Sequence, residues 1–332
     1  MRIISLANLQ DSKQSSIFFS SFLARMTTEI GSFLSVPVVN LNSYSLKFLV
    51  HLLILLRVAL LTMKLSLILS TYNRPDAVEK SLQSLMKQND KDFELLVADD
   101  GSTAETRELL NSYRSFFKFG FKHIWQEDLG FRLSASRNNA LRQARGDYIV
   151  FLDGDCLANP EFIANHRKLA EPGFFVTGNR ILASPSFTKQ ILAANDFSFP
   201  SLGTLFRLKR NKEINKAISG INFPRLDFLR KLYPQKWQRL RGCNFAAWRK
   251  DIFAVNGFDE DFVGWGFEDS DFAVRMINNK IYRKSGNFAT AVLHLYHPEG
   301  NKAKEGPSWE KLSYRLKHKE SFCANGLIKS DC

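Results

Sequence analysis

The chain has 332 residues, 45% hydrophobic and 13% aromatic with 29 Phe, enough apolar surface to exclude disorder as its dominant state. Eighteen Gly and 10 Pro, without fixed-period self-similarity, exclude collagen-like and repeat architectures. The net charge of +13 suits a nucleic acid, an anionic membrane surface or a phosphorylated substrate. In chain order, residues 1–62 come first: Ser- and Leu-rich, with seven charged residues and no motif. They read as an extension, disordered or lying upstream of a natural start at Met63. The alternative is a weak membrane anchor at 46–61, where Lys47, His51 and Arg57 interrupt an apolar run that a span would need unbroken for about 18 residues.

From Met63 the pattern alternates. Leu65–Ser70 is a continuous apolar run, as expected of a parallel strand covered on both faces. Pro75 opens a helical pattern (Val78, Leu82, Leu85, Met86), a first-turn position where Pro forfeits no hydrogen bond. Strands are predicted at Phe93–Ala98, Lys122–Gln126, Asp147–Leu152 and Phe174–Arg180. Helices are predicted at Thr103–Phe117, Ser134–Arg145, Asn159–Leu169 and Glu268–Asn279. Polar clusters end the strands: Tyr72-Asn73, Asp99-Asp100-Gly101-Ser102 and Asp153-Gly154-Asp155. The prediction is an α/β fold with a Rossmann-like, mostly parallel sheet whose ligand sits at the strands' C-terminal ends, plus an appended C-terminal lobe. The divisions are 63–180, a basic connecting lobe at 181–241, 242–300, and a basic C-terminal tail at 301–332. Within the lobe, residues 206–242 carry eleven Lys and Arg against Glu213 and Asp227, interleaved with Phe, Leu, Tyr and Trp.

Taken alone, Asp153-Gly154-Asp155 reads either as a divalent-cation pair, since hard cations take carboxylate oxygens, or as a turn whose Asp side chains bond their own backbone. The ordered set Tyr72-Asn73, Asp99-Asp100-Gly101-Ser102, Arg137-Asn138-x-Ala-Leu and Asp-x-Asp resembles the family 2 glycosyltransferases, which have the GT-A fold. Gly242-Cys243-Asn244, Gly257-Phe258-Asp259-Glu260 and Gly264-Trp265-Gly266-Phe267-Glu268-Asp269-Ser270-Asp271 resemble the galactosyltransferase-type module of chondroitin-polymerase-like enzymes. The resemblance covers about 63–297 and implies that 63–180 is the nucleotide-sugar-binding half and 242–300 the acceptor and catalytic module, an acceptor-side lobe.

It implies that Ser70, Tyr72, Asn73 and Asp100 hold the nucleotide, with Asp100 accepting from the uracil imide. Arg132, Arg137 and Asn138 would face the diphosphate side, since a guanidinium fork matches phosphate oxygens. Asp153 would reach ribose and metal, and Asp155 would bind Mn²⁺ or Mg²⁺ directly. His297 would close the metal shell. His294 is either a ligand or a hydrogen-bonded strand-end histidine. Asp269 would be the base that takes the acceptor hydroxyl's proton, with Glu268, Trp265, Gly266 and Asn244 on the acceptor. A helix N-terminal turn enriched in acids for the helix dipole is the other reading of Glu268 and Asp269. Phe267 stands where Gly is usual, so acceptor specificity does not carry over.

The implied function is metal-dependent, inverting transfer of a hexose or N-acetylhexosamine from a UDP-sugar to a bacterial surface glycan or glycolipid, with residues 206–242 against an anionic membrane surface. The four Cys (156, 243, 323, 332), without Cys-x-x-Cys spacing or a cleavable signal, predict a reduced cytoplasmic protein, peripheral at the inner membrane. A nucleic-acid partner is not expected, because the cations accompany no base-stacking motif and the carboxylate clusters repel phosphates. A non-catalytic nucleotide-sugar-binding lobe and a nucleotidyltransferase are the alternatives; the latter lacks its Gly-rich loop here.

Overall fold

A computed structural model describes residues 63–224, 227–264, 266–298 and 306–329. The anchor alternative at 46–61 and Trp265 therefore lie outside the described residues. Among those described, no helix is long and apolar enough to cross a membrane.

The first strand, β1 (Leu65–Thr71), is buried along its whole length, as expected of a Leu- and Ile-rich strand covered on both faces. It pairs in parallel with β2 (Glu94–Asp99) and β4 (Tyr148–Asp153), and β2 pairs with β3 (Phe121–Trp125). Alternate side chains serve two cores. Leu65, Leu67 and Leu69 pack with Val78, Leu82 and Leu85 of α1 (Pro75–Met86), while Ile68 packs with Ala140 and Leu141 of α3 (Leu133–Gln143). The α1 residues recur at four- and three-residue steps, one apolar stripe of a helix. Between β2 and β3 runs α2 (Ala104–Tyr113), followed by a 3₁₀ turn at Arg114–Phe116 where the sequence predicts one helix to Phe117.

After β4 the chain leaves simple alternation. Three elements follow: β5 (Cys156–Ala158), α4 (Phe162–Leu169) and β6 (Phe174–Thr177). The strand predicted over Phe174–Arg180 is two strands in two sheets. The second, β7 (Asn179–Leu182), begins after Gly178, where a Cβ would lie 2.2 Å from the Asn244 side chain. Only glycine permits that crossing. The lobe holds α5 (Pro185–Ala193), α6 (Leu202–Arg210) and the short α7 (Asp227–Arg230).

Next, β8 (Asn244–Trp248) enters antiparallel between β4 and β6; α8 (Arg249–Ala254), α9 (Glu268–Asn278), β9 (Tyr282–Ser285) and β10 (Ala291–His294) follow. The large sheet runs β3-β2-β1-β4-β8-β6-β9 and the small one β5-β10-β7. The segment read as a basic tail contains α10 (Pro307–His318), fastened to α9 by Arg315, whose Nε lies 2.6 Å from Asp271 and whose Nη2 lies 2.5 Å from Asp259.

Chain order reverses between β1 and β4, and open α/β sheets bind ligands at such a switch point. In the β1–β4 register Ser70 stands beside Asp153, and in the β1–β2 register Thr71 stands beside Asp99. In the β10–β5 register His294 stands opposite Cys156.

Candidate active site

A cleft of about 650 Å³ opens at this switch point. Its walls bring together Ser70, Tyr72, Asp100, Arg137, Asp153 and Asp155 with Glu268, Asp269, His294 and His297. Antiparallel β8 supplies the link between the two groups, because it delivers Gly242 and Cys243 to the end of β4, where the Asp153 N–H donates to the Cys243 carbonyl at 3.2 Å. The turn of Asp153-Gly154-Asp155 folds tightly over β1: the Gly154 N–H donates to the Ser70 carbonyl at 2.7 Å, and a Cβ there would sit 2.9 Å from that oxygen.

Asp155, His294 and His297 form a cluster with donor atoms all within 4.8 Å of one another. The Nε2 of His297 lies 3.3 Å from one Asp155 oxygen, and that of His294 lies 3.7 Å from the other. Each ring's Nδ1 faces a backbone carbonyl, Leu295 at 2.8 Å and Pro298 at 3.0 Å. A carbonyl only accepts, so each Nδ1 carries a proton; in the neutral tautomer this leaves an Nε2 lone pair facing the carboxylate, an arrangement that a cation between them satisfies. The donor set, one carboxylate and two oriented imidazoles, fits a divalent metal.

Asp153 is engaged by Arg137. That guanidinium, fully buried, donates to Asp153 Oδ1 at 2.8 Å, the Gly242 carbonyl at 2.9 Å and Ser70 Oγ at 3.2 Å, and lies over the Phe258 ring at 5.3 Å. Burial pushes the Asp153 carboxyl above the ordinary range, against the opposing pull of Arg137. Burial likewise raises Asp100, whose oxygens accept from Gln126 Nε2 at 2.6 Å and the Arg132 N–H at 2.7 Å. Its partner Asp99 faces away from the cleft, bonded to His123 at 2.7 Å and to the Ser102 N–H at 2.8 Å. Tyr72 stands 45% exposed, its hydroxyl donating to Asp128 at 2.9 Å.

At the start of α9, Asp271 turns inward to Arg275 and Arg315, leaving Glu268 and Asp269 on the cleft. Asp269 accepts from the Gly242 N–H at 3.0 Å and from Ser270 Oγ at 3.1 Å. Gly266 and Phe267 both have positive φ, 112° and 69°. For Phe this is a strained conformation, held by the Phe267 ring against Trp309 at 5.4 Å.

Five described sequence-predicted site residues are not on the cleft wall; Gly266, at the turn before α9, is one of them. Arg132 reaches back to the Glu127 carbonyl at 2.6 Å. Asn73 joins two loops, its Oδ1 accepting from the Thr103 N–H at 2.9 Å. Asn138 is buried on the Phe258 backbone, accepting at 2.9 Å and donating at 2.8 Å. Asn244 is buried and donates to the carbonyls of Thr290 at 2.6 Å and Asn179 at 3.1 Å. Conversely, Arg74, Arg180 and Arg241 line the cleft without having been assigned there. Arg74 follows Tyr72-Asn73 and Arg241 precedes Gly242-Cys243-Asn244, so motif adjacency was the available signal; Arg180 had none. Cys156 and Cys243 also sit buried beside His294, with burial pushing the Cys156 thiol well up.

The mixed sheet with its cleft at the β1–β4 switch point has the GT-A architecture. Among solved structures it resembles S. aureus TarS 1–349 in complex with UDP-GlcNAc (TM-score 0.55, 20% identity, 77% of this chain, 66% of that one). It also resembles GalNAc-T7 with UDP, GalNAc and Mn²⁺ (TM-score 0.54, 15% identity, 77% and 48%). The glycosyl transferase family 2 profile matches residues 66–234, half of the chain, and the chain belongs to that family. The profile described as the N-terminal domain of galactosyltransferase matches residues 227–298. Curated relatives include validoxylamine A glucosyltransferase of Streptomyces hygroscopicus subsp. jinggangensis, 32% identical over 218 residues (64% of this chain, 51% of that protein). Another is chondroitin synthase of Escherichia coli, 30% identical over 246 residues (71% and 34%). The chain spans about half the length of these relatives or less.

Proposed function

We propose that this chain is an inverting, metal-dependent glycosyltransferase that moves a hexose or N-acetylhexosamine from a UDP-sugar to a bacterial cell-surface glycan such as lipopolysaccharide, O-antigen or capsule. The observation carrying this reading is that the Asp155–His294–His297 cluster and the Glu268–Asp269 pair line one cleft. A donor needs cations beside its diphosphate, and the acceptor needs a base beyond it.

In this reading Ser70, Tyr72 and Asp100 hold the uridine, while Arg74, Arg180 and Arg241 face the diphosphate. Asp155, His294 and His297 would hold Mn²⁺ or Mg²⁺. When bound, the metal neutralises charge on the departing diphosphate. Asp153, fixed by Arg137, presents its remaining oxygen to the ribose and metal. Asp269 takes the proton of the acceptor hydroxyl as that oxygen bonds to the anomeric carbon, and the bond from that carbon to the diphosphate breaks, releasing UDP. Glu268 orients the acceptor. Asn138, Asn244, Asn73 and Arg132 act indirectly, by fixing the loops that carry these groups.

The protein would work at the cytoplasmic face of the inner membrane. The lobe exposes Phe206, Ile218, Phe223 and Phe228 among its Lys and Arg, a combination suited to an anionic bilayer surface. Calorimetric titration of UDP into the full chain, with and without Mn²⁺, tests the reading. Metal-dependent binding is expected, and absence of binding under both conditions would overturn it.

A further inference from the structure

We propose that a second cleft, continuous with the first, binds an oxyanion carried by the acceptor, either a carboxylate or a phosphate; the inference rests on the functional reading above. The cleft measures about 480 Å³ and lies where β6, β7 and β9 meet the lobe. Six cations line it: Arg180, Lys216, Lys236, Arg239, Arg241 and Arg283. No Asp or Glu is among the described residues of its wall.

Two nearby lysines are neutralised by carboxylates. Lys231 lies 2.6 Å from Glu171, and Lys284 lies 2.9 Å from Glu171 and 2.6 Å from Asp227. The cleft residues differ. Arg283, only 6% exposed, donates to Thr177 Oγ1 at 3.1 Å and to the Leu232 carbonyl at 2.8 Å, both neutral. The Lys216 ammonium donates to Asn179 Oδ1 at 2.9 Å. Among the described residues no carboxylate pairs with Lys216, Lys236, Arg239, Arg241 or Arg283. A desolvated cation without counter-charge, as Arg283 is, is costly, and the other cations of the wall repel it and one another. Burial and the Arg180 and Arg241 charges hold Lys216 below its ordinary pKa, and burial and Arg239 do the same to Arg283. An entering anion would relieve both costs.

Two features identify that anion with the acceptor. Arg180 and Arg241 belong to both clefts, and Gly242, next to Arg241, is bonded to Asp269. A glycan whose hydroxyl reaches Asp269 therefore continues past this wall. Tyr233 also lies on the wall, 72% exposed, with the Lys236 ammonium 5.5 Å from its ring centroid, so an aromatic surface that a sugar ring can pack against adjoins the cations.

The test uses the full chain saturated with UDP and Mn²⁺, so that the donor cleft is filled. Three probes are titrated by calorimetry: an unsulfated chondroitin tetrasaccharide, its carboxyl-reduced neutral counterpart, and glucose 1-phosphate. At least one anionic probe should bind at least tenfold tighter than the neutral one, and the tighter of the two assigns carboxylate or phosphate. The double variant Lys236→Ala/Arg239→Ala, at exposed positions, should lose that preference by about tenfold while UDP affinity stays within twofold. Equal binding of charged and neutral probes, or an unchanged preference in the double variant, would overturn the inference. UDP binding in the same samples separates the two readings. Failure of the anion preference with UDP bound sinks this inference alone, and failure of UDP itself sinks the donor reading.

Discussion

Arg137 holds Asp153 at 2.8 Å with the nitrogen that also reaches the Gly242 carbonyl at 2.9 Å, while the Gly242 N–H donates to Asp269 at 3.0 Å. Three hydrogen bonds therefore join the first carboxylate of Asp153-Gly154-Asp155 to the carboxylate at the start of α9. The two ends of the proposed reaction share one rigid strut, built on a guanidinium that the protein has removed from water.

Replacing that guanidinium should be expensive. Arg137→Met keeps the length of the side chain and its contact with Phe258 but strands Asp153 without its cation. Breaking a buried ion pair from one side leaves an uncompensated charge, and because Asp153 keeps partial exposure the expected loss is about 3 kcal/mol. Urea denaturation measures it. A variant as stable as the wild type would show that the pair does not hold the two segments together.

The cluster of Asp155, His294 and His297 makes a prediction about metal removal. Asp155→Ala takes away the carboxylate both rings face, so the metal-dependent part of UDP binding should disappear. His297→Ala should weaken it by an order of magnitude or more, since loss of one metal contact is large even when its neighbours remain. Calorimetry with and without Mn²⁺, or with EDTA, reads both. Unchanged metal-dependent binding in Asp155→Ala would place the cation elsewhere.

Asp269→Asn retains an oxygen for the Gly242 N–H, so the local fold and donor binding should persist. Transfer should fall by about 10²–10⁴-fold, the usual contribution of a general base. Single-turnover transfer at saturating donor is the appropriate measurement. Wild-type turnover would remove Asp269 from that role.

The first half of the fold was legible because β1, β2 and β4 are local apolar runs, the first two each followed within a few residues by a helix. The rest depends on partners distant in sequence. β8 has only five residues and pairs with β4 across the whole lobe, and the small sheet is built from strands of three and four residues, too short for a periodic signal. The site divides the same way. Asp153, Asp155, Glu268, Asp269 and the two histidines were readable as chemistry at element ends. Asn138 and Asn244 belong to the same motifs, yet their amides satisfy buried backbone groups, a demand created only by tertiary packing. The cations of the second cleft were visible only as charge, because whether a surface Lys or Arg meets an acid is decided by which strands and turns converge on it.

His166 gives a pH dependence with a defined sign. It is fully buried against Phe162, with ring centroids 4.6 Å apart, and burial lowers its pKa from 6.5 to about 3. Between those values the unfolded chain binds a proton that the folded chain does not. This contribution to stability is therefore complete above pH 6.5 and is lost as pH falls toward 3, approaching about 1.4 kcal/mol per pH unit. Wild type should lose about 1.5 kcal/mol from this group between pH 6.5 and pH 5, where little carboxylate titration has begun. In His166→Gln the loss should be absent, whatever the variant's absolute stability, because the remaining titrating groups are common to both proteins. Urea denaturation of the pair at the two pH values isolates the difference. Parallel pH slopes would mean that His166 accepts its proton without unfolding, and that water reaches the buried face of α4.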